Sequence, residues 1–101
     1  MQKTFDYHDA LKALAHPARL EFLVWLKAPE QYFDAAALTR EGGATAGSFQ
    51  RSGLSQSAVS SHLGVLYHAG LVSSQRLGAS VYYRRNEFNI ALLKSWLDRQ
   101  I

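Results

Sequence analysis

Residues 53–72, GLSQSAVSSHLGVLYHAGLV, leave the chain little freedom in what it can fold into. Gly53 ends whatever precedes it, and Ser55 offers a hydroxyl where a new helix needs its first backbone N–H groups satisfied. Val59, Leu63 and Leu66 then recur at i, i+4 and i+7 as one apolar stripe. The opposite face carries Ser57, Ser60, Ser61, Gly64 and His68, all short or polar and none acidic. Gly70 stops the helix, and strand-like sequence follows at once. A helix with a sealed back and a low, hydrogen-bonding front suits the major groove of DNA. The pattern therefore predicts a recognition helix, with double-stranded DNA as its partner.

The flanks agree. Residues 44–52 (ATAGSFQRS) predict a short helix with Phe49 facing the core, and SGLS the tight connection of a helix-turn-helix. Downstream, VSSQR and VYYRR flank LGAS; both have strand character, and Gly78 supplies the positive φ of a tight hairpin. A hairpin directly after a recognition helix makes a winged helix. At the other end, residues 5–15 place Tyr7, Leu11, Leu14 and Ala15 on one helical face, with Asp6 and Asp9 near its N-terminus. Pro17 forbids continuation but suits the first turn of a second helix, residues 17–27. Leu20, Phe22, Leu23, Val24, Trp25 and Leu26 make that helix apolar almost all round, which predicts a central position.

Residues 29–47 read two ways, as a short helix capped by Asp34 and stopped by Gly42 and Gly43, or as an ordered loop. Asn86 can cap a last helix in which Phe88, Ile90, Leu92, Leu93, Trp96 and Leu97 are apolar. That surface is wider than a terminal helix needs. Tyr7, Leu11 and Leu14 with Leu92, Leu93, Trp96 and Leu97 are thus the expected contact of a homodimer. The expected fold is mainly α with a β-hairpin wing (α+β), about five helices and a two-stranded hairpin in one domain, residues 1–101.

Composition narrows the function. With 48% apolar and 19% charged residues over 101, disorder is excluded and one core is affordable. The absence of cysteine removes disulfides, thiolate metal sites and cysteine nucleophiles. No apolar run nears the roughly 18 residues of a membrane span. The start MQKTFDYHDA lacks a signal-peptide core, so no membrane partner is expected and the cytoplasm is the expected address. The net charge of +3 is modest, but its distribution is not even. Residues 1–50 hold five cations against six acids; residues 51–86 hold Arg51, Arg76, Arg84 and Arg85 and no acid; the tail balances. A phosphate backbone would favour that asymmetry.

Candidate groove residues are Gln56, Ser57, Ser60, Ser61 and His62. Glutamine pairs bidentately with adenine, and serine serves several bases or a phosphate oxygen. Ser55 reads as the cap of a helix whose N-terminus favours a phosphate. Arg51, Gln75, Arg76 and Arg84 are the candidates for phosphates or the minor groove. His8, His16, His62 and His68 lack ligand spacing, so neither a metal nor a cofactor is expected. There is no Gly-x-Ser-x-Gly, no Ser–His–acid set and no phosphate-binding glycine loop, so no catalytic residue is expected either. Trp25, Tyr32, Phe33 and Trp96 are either plain core or the lining of a pocket for an unidentified small-molecule effector. The rival reading is a winged-helix protein-interaction module without sequence-specific DNA binding.

The residues also carry a resemblance. LKALAHPARLEFLVWL is similar to the opening of ArsR/SmtB-family repressors, in which a Leu-Ala-x-Pro-x-Arg-Leu pattern joins the first two helices. GLSQSAVSSHLGVLYHAGLV with SSQRLGASVYYRR resembles that family's recognition helix and wing. The resemblance implies a homodimeric winged-helix repressor that binds a pseudo-palindromic operator and releases it on a signal, from a small molecule or a protein. Two departures stand out. Where the family's arsenic and cadmium sensors carry a Cys-x-Cys pair, this chain has Ala44 and Ala46, and its last helix has no histidine and one aspartate, Asp98. Residues 29–43 are longer than the family's usual connection.

Overall fold

A computed structural model describes residues 4–101; Lys3, counted in the charge balance, lies outside them. The first helix, α1 (Tyr7–Leu14), starts where the Asp6 carboxylate accepts from the backbone N–H groups of His8 (2.8 Å) and Asp9 (3.1 Å). Its buried face is Ala10 and Ala13, not the predicted Leu11 and Ala15, which are exposed. Alanines let two helices approach closely, and a pattern search weighted by large side chains overlooks them. Helix α2 (Pro17–Lys27) follows, with Pro17 in its first turn and the His16 Nδ1 accepting from the Ala18 N–H at 3.1 Å. Phe22, Leu23, Trp25 and Leu26 are buried, whereas Leu20 and Val24 stay exposed. The helix is central on one flank and open on the other, contrary to the all-round burial expected.

The ambiguous middle is an ordered loop with two single turns. Helix α3 spans Pro29–Tyr32 and a 3₁₀ turn Ala35–Ala37, the latter without a side-chain cap from Asp34. Strand β1 (Ala44–Thr45) then precedes a 3₁₀ helix, Ala46–Ser52. The expected helix over 44–52 is thus shorter, and its start is a strand. Gly53, with φ of 80°, ends this helix in a left-handed conformation that glycine adopts without strain. Helix α4 (Gln56–His68) follows, then β2 (Val72–Leu77), β3 (Ser80–Arg85) and α5 (Glu87–Gln100), which Asn86 caps through Asn89 N–H at 3.0 Å.

The sheet is antiparallel with order β1-β3-β2. Leu77 pairs with Ser80 across Gly78 and Ala79. Gly78 has φ of 63° and Ala79 is not positive, so the hairpin needs glycine at the first turn position only, as in a II′ turn. β1 adds Ala44 opposite Tyr83 and Thr45 opposite Tyr82, a third strand where two were expected. The core joins all these layers. Phe49 touches Phe22 (4.7 Å between centroids) and Phe33 (5.2 Å), while Val59, Leu63, Leu66 and Leu71 are buried beside them. Each such side chain contributes roughly 1.5–3 kcal/mol on burial. Their joint effect fixes α4 at a set height above α2, which decides what α4 presents to solvent.

Candidate nucleic-acid interface

Helix α4 presents what its apolar stripe leaves over. Val59, Leu63 and Leu66 face inward, so the side chains half a turn away must face out. Gln56, Ser57, Ser60, Ser61 and His68 are exposed. Ser55 Oγ accepts from the Ala58 N–H at 3.1 Å and lies 3.3 Å from Ser57 Oγ. The cap thus stands at the head of a row of hydroxyls. No acidic side chain lies on this helix.

His62 takes a different position. One residue before Leu63, it turns back toward the junction of α1 and α2, where its ring lies 4.4 Å from that of His16 and 6.2 Å from that of Phe22. It is half-buried, and its Nδ1 is buried without a hydrogen-bond partner among the described residues. Burial lowers its pKa from 6.5, and the neighbouring His16 and Arg19 charges act in the same direction. The two histidines, far apart in sequence, form a packed pair that spacing along the chain gave no sign of.

Residues opposite one another in the antiparallel hairpin share a face. Ser73, Gln75, Tyr82 and Arg84 therefore stand on one side, and Val72, Arg76, Val81 and Arg85 on the other. Arg76 and Arg84, grouped together by the charge count, project to opposite sides; both are exposed. The other two arginines of the acid-free block are engaged within the chain. Arg51 donates through Nη1 to the Tyr32 carbonyl, and its guanidinium lies 5.2 Å from the Trp25 ring centroid and 5.6 Å from that of Tyr32. It braces α3 against α2. Arg85 makes a two-pronged pair with Glu87 (2.9 and 3.1 Å), with its side chain only 10% exposed, and reaches the Leu23 carbonyl at 3.5 Å. Arg85 ties the end of the wing to α2 and α5.

Sequence and structure comparisons bear on this geometry. The model of the bacterial regulatory protein arsR family matches residues 51–74, from the end of the 3₁₀ helix into β2. A relative from Bacillus subtilis, the uncharacterized HTH-type transcriptional regulator YbzH, is 31% identical over 96 residues, 92% of this chain and 96% of its own length. The chain belongs to the ArsR family. Among solved structures, one titled a possible transcriptional regulator for arsenical resistance is 29% identical with a TM-score of 0.70, covering 90% of this chain and 82% of its own. HlyU from Vibrio cholerae is 28% identical with a TM-score of 0.62, over 92% and 88% of the two chains. The homodimeric winged helix-turn-helix DNA-binding domain of Mb0332 from Mycobacterium bovis is 24% identical with a TM-score of 0.65, over 99% and 90%, and shares the fold.

This ArsR-family protein is accordingly a transcriptional regulator with a winged helix-turn-helix DNA-binding domain, in a family of regulators and not of enzymes. Among its described residues, no group of three or more His, Cys, Asp or Glu side chains could hold a metal ion. No helix of the described residues is long and apolar enough to cross a membrane. At the two ends of the chain, Tyr7 of α1 stacks on Trp96 of α5 at 4.9 Å with planes 4° apart. Leu14, Leu92 and Leu97 are half-buried, and Leu11 is 36% exposed. Leu93 differs from the expectation: at 3% exposure it lies inside the chain's own core and has no area left for a partner. Phe88, 75% exposed, is the large apolar side chain of α5 that the expected contact set left out.

Proposed function

We propose that the protein is a dimeric repressor that occupies a pseudo-palindromic operator in the cytoplasm, as one winged-helix domain per subunit. The observation that carries this reading is the exposed row of Gln56, Ser57, Ser60 and Ser61 on a capped helix without acids. In the proposal Gln56 reads a base edge, while the serines divide between bases and phosphates. Ser55 holds the helix N-terminus toward a phosphate. Gln75 and Arg76 or Arg84 engage the flanking backbone or minor groove from the two faces of the wing. His62 acts indirectly, by seating α4 on the α1–α2 junction. Arg51 is left out of the contact set, because its guanidinium is already held by Trp25 and Tyr32.

Dimerisation through α1 and α5 is supported by the exposed Leu11 and Phe88 beside the half-buried Leu14, Leu92 and Leu97. It is also supported by the homodimer described for Mb0332. A two-fold pair would set its recognition helices roughly 34 Å apart, one turn of duplex. With alanine at 44 and 46 and no histidine in α5, the releasing signal in this proposal is a small molecule or a second protein.

Selection of fragments from genomic DNA, followed by binding measured across a salt series, tests the proposal. The expected result is nanomolar-range affinity for selected fragments, weakening steeply as salt rises. Gln56→Ala should relax base preference. Weak, sequence-blind binding by the wild type would favour a protein-interaction module instead.

A further inference from the structure

The charge count confined the positive surface to residues 51–86, yet the fold brings two cations from the acidic half of the chain to the flank of α4. A groove of about 540 Å³ runs between α1, the first turn of α2 and α4, lined by Lys12, Arg19, Ser61, Val65 and His68 with Asp9 at its edge. We propose that Lys12 and Arg19 are phosphate-binding residues, forming a second edge of the DNA interface along this groove. The inference rests on the reading of α4 as the recognition helix.

Three observations support it. First, the groove is continuous with the face assigned to DNA: Ser61 and His68 are exposed on α4 and also line it. A helix lying in a major groove has a row of phosphates along each flank, since the groove is about 12 Å wide and the helix nearly fills it. The wing supplies cations for one row. The Ser61–Val65–His68 flank needs its own, and Lys12 and Arg19 are the cations beside it.

Second, Arg19 is set in place. Its Nε donates to the Ala13 carbonyl at 2.7 Å, which fixes the guanidinium across the α1–α2 corner. No hydrogen bond or ion pair with another described residue engages its Nη atoms, so the paired donors that suit a phosphate remain available. Lys12 is exposed and likewise has no ion pair among the described residues. Third, the balance of charge around the groove is positive. Asp9 is its one acid, and that residue has partners of its own. A structural role alone accounts for the Arg19 Nε contact; it does not account for an unpaired lysine on the same groove.

Fluorescence anisotropy of the full chain on a selected duplex, measured across a salt series, decides the matter. Lys12→Gln and Arg19→Gln are compared with wild type and with Lys94→Gln, an exposed cation of α5. The expected result is a salt slope about 0.9 shallower for each groove variant, weaker binding on every sequence, unchanged base preference and a wild-type slope for Lys94→Gln. Should Arg19→Gln fail to melt cooperatively, Lys12→Gln alone gives the answer. A steep wild-type slope with groove variants indistinguishable from Lys94→Gln overturns this inference and leaves the recognition helix standing. Loss of a bound small anion, with DNA affinity unaltered, would instead make the groove an effector site and overturn it too. A wild type that shows no salt-dependent binding to any duplex overturns both readings together.

Discussion

Gly64 offers a perturbation whose effects on stability and on DNA binding should have opposite signs. It lies within α4, between Ser60 and His68 on the outward face. A Cβ at this position would meet no heavy atom within 4 Å, so nothing inside the molecule requires glycine there. In a helix interior glycine is less favourable than alanine by about 0.8–1.0 kcal/mol, because its unfolded backbone has more freedom to lose. Gly64→Ala should therefore stabilise the fold by about 1 kcal/mol, raising the melting temperature by roughly 4–8 °C for a chain of this size. If α4 seats against duplex over this turn, the added methyl meets a close-packed surface. Overpacking of that kind costs on the order of 1–3 kcal/mol. The dissociation constant should then rise between roughly 5-fold and 150-fold. Calorimetry on the free protein and anisotropy on a selected duplex at fixed salt measure the two halves. A raised melting temperature with wild-type affinity would refute the close approach of this face to DNA. An unchanged melting temperature would refute the open space around Gly64.

Three further outcomes follow from particular contacts. Arg51→Ala removes two ring contacts of about 0.5–1 kcal/mol each and a hydrogen bond, so it should lower the melting temperature by roughly 5–15 °C while leaving the salt slope of DNA binding as in wild type; a shallower slope with unaltered melting would return Arg51 to the DNA surface. Ser55→Ala should cost about 1 kcal/mol as a lost cap, whereas Ser55→Asp keeps the cap and should melt like wild type but bind DNA less well through repulsion of a phosphate. Equal DNA affinity for Ser55→Asp would move the α4 N-terminus away from the backbone. His62 has a pKa below 6.5 in the folded state, so the unfolded chain takes up the proton first as pH falls. Its stabilising effect is complete above pH 6.5 and is lost as pH drops through the depressed value; denaturant melts of His62→Gln should lack that part of the pH dependence, and an identical profile would show that His62 plays no part in it.

How much of this could be read from the chain depends on how local each cause is. Helix α4 and the wing were legible because cap, apolar stripe, glycine and alternating strand residues all lie within one stretch and agree with one another. β1 was not, because Ala44 and Thr45 become a strand only on meeting Tyr83 and Tyr82 of β3, and the local pattern there reads as helix. The face of α1 was misjudged because its buried residues are alanines, whose signal is faint beside leucine. Charge counting found the basic block but could not say where each arginine points. Arg51 and Arg85 are satisfied by partners distant in sequence, Tyr32 and Trp25 for the one and Leu23 for the other. His62 and Lys12 show the same limit from opposite sides. The histidine predicted for the groove packs on His16, and the lysine assigned to an acidic half of the chain borders the recognition helix.

Amide chemical-shift mapping of the full chain, titrated with a selected duplex, tests the central claim most directly. The account predicts that the largest perturbations fall on Gln56, Ser57, Ser60 and Ser61 of α4 and on Gln75 and Arg76 of the wing, while Tyr7, Leu92 and Trp96 hold their positions. Perturbations centred on α1 and α5, with the serine face of α4 unmoved, would contradict it.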